Sequence, residues 1–106
     1  STIRIEDVSA SPATAGPGDT VDLNATYAVM TPDPEGEISV TEIREIRHAG
    51  ELVGRPEITV TRSGGTYISS VPLILPNDAG SGEYIVTTTV QTANAKDSRS
   101  MTLYVR

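Results

Sequence analysis

The chain has 106 residues, enough for one domain with its own core and no need of disulfides or a structural metal. Lys and Arg number 8 against 14 Asp and Glu, a formal charge of −6. The acids are scattered and no basic stripe exists, which argues against nucleic acid and anionic membrane as partners. Cysteine is absent, so disulfides, thiol catalysis and cysteine metal sites are excluded, and no apolar run approaches the roughly 18 residues of a membrane span.

Val, Ile and Thr make up about a third of the chain, the β-branched bias of pleated, half-buried strands. With no Trp and no Phe, aromatic packing rests on Tyr27, Tyr67, Tyr84 and Tyr104. The composition predicts an all-β domain.

Ile3 and Ile5 alternate and Val8 falls out of phase, which predicts a short first strand kinked near Asp7. Ser9 to Asp19 carries Pro12, Gly16, Pro17 and Gly18 and reads as a loop, with Pro12 also compatible with a kinked edge strand. From Thr20 the alternation is clean. Val21, Leu23, Ala25, Tyr27 and Val29 share one face; Asp22, Asn24 and Thr26 share the other. Thr31 to Gly36, with Pro32 and Pro34, is a loop.

Glu37 to His48 has two readings. Ile38 and Val40 lie on one phase and Ile43 on the other, which predicts a strand with a β-bulge near Thr41. A helix is the competing reading, and it lacks a cap. Ala49-Gly-Glu51 turns into a short Leu52-Val53 strand closed by Gly54-Arg-Pro56. Ile58–Arg62 and Thr66–Leu73 then flank the Ser63-Gly-Gly65 hairpin turn, with Ile58 and Val60 expected in the core and the phase of Tyr67 and Ile68 open. Tyr84–Thr92 and Ser98–Val105 form a last hairpin, in which Met101, Leu103 and Val105 share a face.

Three stretches resemble bacterial immunoglobulin-like and fibronectin type III-like modules. Pro17-Gly-Asp-Thr-Val-Asp-Leu-Asn-Ala-Thr-Tyr27 is similar to their turn and B strand. Asp78-Ala-Gly-Ser-Gly-Glu-Tyr84 looks like their E–F turn and tyrosine corner, and the hairpin ending Met101-Thr-Leu-Tyr-Val105 looks like F–G. The chain departs from the antibody pattern: Val86 stands where a cysteine would follow Tyr84, and there is no tryptophan. The resemblance implies a sandwich of two antiparallel sheets with seven or eight strands, a hydroxyl of Tyr84 bonded to backbone a few residues upstream, and no catalysis.

Residues that could carry chemistry each have a structural reading beside them. His48, the sole histidine, adjoins a turn and lacks a nucleophile context, so it reads as an exposed strand-end residue. Asp33, Glu35 and Glu37 could seed a calcium site, but no dedicated cage matches and they read as solvated loop acids; Asn77 and Asp78 read as turn residues. Gly64-Gly65 and Gly80-Ser-Gly82 lack the ending of a phosphate loop. Asn24-Ala-Thr26 fits a glycosylation pattern on an outward strand face. Glu42, Arg44, Glu45 and Arg47 read as surface cross-strand pairs, with a charged recognition edge as the alternative. Tyr67 or Tyr104 could stack on sugar rings.

No catalytic, cofactor-binding or metal residue is therefore assigned, and no cofactor is expected. Residues 1–106 read as a single immunoglobulin-like domain of a larger exported, periplasmic or surface protein, since Ser1 follows no leader and the last strand stops at Val105-Arg106. The expected role is a spacer or accessory domain whose partners are its neighbours in the chain. The alternative is a protein- or glycan-binding module using end loops or a sheet edge. The isolated domain is expected to be monomeric.

Overall fold

The computed structural model describes residues 2–33 and 35–106; Ser1 and Pro34 lie outside them. The described residues form nine strands: β1 (Thr2–Ser11), β2 (Thr14–Ala15), β3 (Thr20–Met30), β4 (Ile38–His48), β5 (Glu51–Gly54), β6 (Glu57–Arg62), β7 (Gly65–Ile74), β8 (Gly82–Gln91) and β9 (Lys96–Val105). One sheet has the order β1-β3-β7. The other runs β2-β9-β8-β4-β5, with β6 also on β4. The fold is an all-β sandwich of two sheets.

β3 is the central strand of the smaller sheet, and its expected alternation holds: Val21, Leu23, Ala25, Tyr27 and Val29 are all buried. They face Tyr84, Val86 and Val90 of β8. Tyr67, Ser69, Val71 and Leu73 of β7 take the inward phase, which turns Ile68 outward, 76 % exposed. The kink expected near Asp7 is a β-bulge, with Glu6 as the extra residue between Ile5 and Asp7.

Several expectations need correction. Ser9, Ala10 and Ser11 do not lie in a loop; they continue β1, paired with Asn24, Leu23 and Asp22. β1 is an edge strand, so Pro12 stands at its end without costing a ladder bond. The chain then changes sheets, and β2 pairs in parallel with β9, so not every pair is antiparallel. No bulge occurs at Thr41. The register of β4 against β8 runs unbroken from Thr41 to His48, and no part of the segment is helical. Two short strands, both expected, share the far edge of β4, with β6 along Ile38–Ile43 and β5 along Ile46–His48; β2, inside the expected loop, is the ninth strand. Ile58 faces inward on that margin but stays 40 % exposed.

The core has two parts. Ala15, Val21, Leu23, Ile46, Leu75, Tyr84, Val86, Leu103 and Val105 fill one end; Ile3, Ile5, Tyr27, Val29, Val40 and Val90 fill the other. Both edge strands of the smaller sheet are clasped by side chains of the larger one. At β1 the Ile5 amide donates to Asp97 Oδ2 at 2.7 Å, and Arg99 Nη1 donates to the Glu6 carbonyl at 2.7 Å. At β7 Arg44 Nη2 donates to the Ser69 carbonyl at 3.3 Å.

Candidate functional site

Unbroken register through β4 puts Val40, Glu42, Arg44 and Ile46 on the same inward face. Glu42 and Arg44 therefore sit inside the sandwich, each 1 % exposed, between the two apolar clusters. The surface reading of these two residues is overturned. Their neighbours on the other phase do lie on the outer face, but they pair along β4 rather than across strands, Arg47 Nη2 meeting Glu45 Oε2 at 3.1 Å.

Glu42 is the hub of the buried group. Its Oε2 accepts from the Tyr27 hydroxyl at 2.5 Å, and its Oε1 accepts from the Ser69 hydroxyl. Arg44 Nη1 lies 3.6 Å from Oε1, and Arg62 Nη2 lies 3.9 Å from Oε2. Arg44 Nη2 also donates to Ser69 Oγ at 3.2 Å, and Arg62 Nε to the Tyr27 hydroxyl at 3.3 Å. Arg62 caps the group from its rim, 4.5 Å above the Tyr67 ring. A buried carboxylate is tolerable only when its lone pairs are met in this way.

The electrostatics follow from burial. Loss of water, and then the hydrogen bond to Glu42, push the Tyr27 hydroxyl up from 10.0 to about 12. Desolvation lowers Arg44, opposed by the Glu42 charge, and the bond to Tyr27 raises Arg62. Arg44 Nε and Thr88 Oγ1, on residues paired across β4 and β8, are buried without a protein hydrogen-bond partner. Glu42 and Arg44 are sealed from solvent and balance each other's charge, while Arg62 at the rim keeps 27 % of its side chain exposed.

A second feature is a cleft of about 370 Å³ between β5 and the end of β7, walled by Ile46, Val53, Leu73 and Leu75 with His48 and Tyr84 at one end. His48 stacks on the Tyr84 ring, centroids 4.1 Å apart and planes at 11°. Its Nδ1 lies 3.0 Å from the Glu83 carbonyl, an acceptor only, so Nδ1 carries the proton. His48 thus ends β4, as expected, but it is half-buried against the corner loop rather than exposed. Gly80 permits that fit, because a Cβ there would stand 3.1 Å from His48 Nε2. The Tyr84 hydroxyl donates to the Gly80 carbonyl at 2.8 Å, the corner geometry expected of it.

The remaining candidates separate. Asp33 and Glu35 are exposed, and Asp33 Oδ1 accepts the Glu35 amide at 3.0 Å, a local turn. Among the described residues no three His, Cys, Asp or Glu side chains gather as metal ligands. Asn24 faces outward, its Nδ2 3.4 Å from Ser9 Oγ. Tyr67 turns inward against Tyr27, while Tyr104 lies on the outer face, 50 % exposed. Among the described residues no helix is long and apolar enough to cross a membrane.

Sequence reasoning missed the Glu42–Arg44 pair and Ser69. The signal was available: Ile38, Val40 and Ile46 share a phase with Glu42 and Arg44 between them, which is one continuous face if an internal ion pair is admitted.

No family model matches the chain, and no curated protein matches it. Solved structures do share its fold. An alkylpurine DNA glycosylase AlkC of Pseudomonas fluorescens, bound to DNA containing an abasic site analog, aligns over 98 % of this chain and 30 % of its own at 14 % identity and a TM-score of 0.66. The sporulation control protein Spo0M of Bacillus subtilis aligns over 98 % and 49 % at 14 % identity and 0.64. A β-glucosidase of Listeria innocua aligns over 97 % and 15 % at 13 % identity and 0.53. This chain thus spans less than half of each of these proteins, and at such identities the likeness concerns the fold alone.

Proposed function

We propose that this domain is a non-catalytic structural module, a spacer or accessory domain of a larger bacterial protein that is exported or carried on the cell surface. The observation that carries the reading is the placement of the first and last strands. β1 begins at Thr2 opposite Met30, beside the Ile3–Ile5–Tyr27–Val29 cluster. β9 ends at Val105 in the other cluster, opposite Gly82 and alongside Ala15. The two termini stand at opposite ends of a body 47 Å long and about 20 Å across, the geometry that joins domains in line. The recurrence of the fold as a minor part of longer chains supports the same reading.

The gene on either side of Ser1 and Arg106 tests it. A signal peptide with tandem sandwich modules, or a catalytic neighbour, is expected. A gene encoding this domain alone would overturn the proposal. Where neighbours are found, replacing the domain with an unrelated sandwich of equal length should leave the neighbour's activity intact.

A second reading, a protein- or glycan-binding module, draws on the apolar cleft beside β5 and on exposed Tyr104. It predicts saturable binding on a glycan array or to a captured protein, weakened by Tyr104→Ala or by filling the cleft with Gly54→Val.

A further inference from the structure

β1 is the outer strand of the smaller sheet, and an outer strand offers unpaired backbone groups to any other strand. Two such groups at its bulge are engaged by charged side chains: the Ile5 amide by Asp97, and the Glu6 carbonyl by Arg99. Both clasping residues come from β9, two positions apart on one face, and they meet β1 where Glu6 breaks its register with β3. Backbone groups that would hold a foreign strand are thus already bonded.

The sequence of β1 indicates which strand would fit if they were free. An antiparallel partner centred on Ile5 of a second copy places Arg4 of each chain opposite Glu6 of the other, two opposite-charge pairs about a twofold axis. Within one chain Arg4 and Glu6 already attract, Nη2 to Oε1 at 3.2 Å, and both side chains point to solvent. We propose that the β1 edge is a latent self-pairing surface for a second copy of this domain, held shut by Asp97 and Arg99. A module strung beside others of its kind would be exposed to such pairing at high local concentration.

The test is the mass of the folded chain in solution by light scattering. The native chain should remain monomeric at high micromolar concentration, and the Asp97→Ala/Arg99→Ala double variant should form dimers in a concentration-dependent way. Adding Arg4→Glu to the double variant, or Glu6→Arg to a separate sample of it, should abolish self-association, since each sets like charges across the axis. Mixing those two charge-reversed proteins should restore a dimer. A folded double variant that stays monomeric overturns the proposal, as does a dimer indifferent to charge reversal. If the double variant unfolds, hydrogen exchange at the Ile5 amide in the single variants decides. Exchange at least about tenfold faster in Asp97→Ala supports the clasp, and unchanged exchange rules it out.

Discussion

The two ends of the core each bury a tyrosine from a central strand, and they satisfy its hydroxyl in opposite ways. At one end Tyr84 bonds back to Gly80, four residues away in sequence. At the other Tyr27 reaches across the sandwich to Glu42, and through that carboxylate to Arg44, Arg62 and Ser69. A local bond between neutral groups makes few demands on the rest of the fold. A buried charge must be answered by several distant strands together, and its loss leaves another charge stranded.

The largest test of that contrast is Glu42→Leu, which leaves Arg44 buried without its counter-ion. A loss of about 3–5 kcal/mol in urea unfolding is expected. The paired change Glu42→Leu with Arg44→Met should recover most of it, because two apolar side chains of similar volume need no partners. Recovery of nothing would mean that the ion pair itself, rather than its completeness, holds the core.

Tyr27→Phe comes next. It removes a donor from a buried carboxylate, with an expected cost of about 1–3 kcal/mol, against roughly 1 kcal/mol for Tyr84→Phe at the neutral corner. Equal losses in the two variants would erase the distinction between the ends.

Alkaline pH probes the same pair. The folded protein holds the Tyr27 proton up to about 12, above its ordinary 10.0, so the contribution is complete below pH 10 and is lost as pH rises toward 12. Unfolding midpoints followed across that interval should fall, and the portion due to Tyr27 should be missing in Tyr27→Phe. The smallest effect is expected outside the core. Arg47→Ala breaks the exposed pair with Glu45 and should cost under about 1 kcal/mol in the same unfolding assay.

What could be read from the sequence follows the same division. β3 alternates apolar and polar residues with no charge on its inner face, so its phase and its core residues were legible. The Tyr84 corner is local, and seven residues of sequence carry it. β4 is harder to read, because Glu42 and Arg44 on an inner face look like an outer one and Ile43, buried on the opposite phase, mimics the shift of a bulge. Only the third dimension brings Tyr27 and Ser69 opposite that face. Asp97 and Arg99 were invisible for a related reason, since their partners are backbone atoms some ninety residues earlier.

The buried pair also bears on alignment. A strand whose inner face is uniformly aliphatic can slide by two residues against its neighbours and bury the same kind of surface. β4 has no such freedom. A shift of two would carry Glu42 away from Tyr27 and Ser69 and leave its buried carboxylate without those donors. The pair therefore acts as an index mark between the sheets, holding the rung of β4 that carries Glu42 opposite Tyr27 of β3 and Ser69 of β7, with Arg62 tying it to β6.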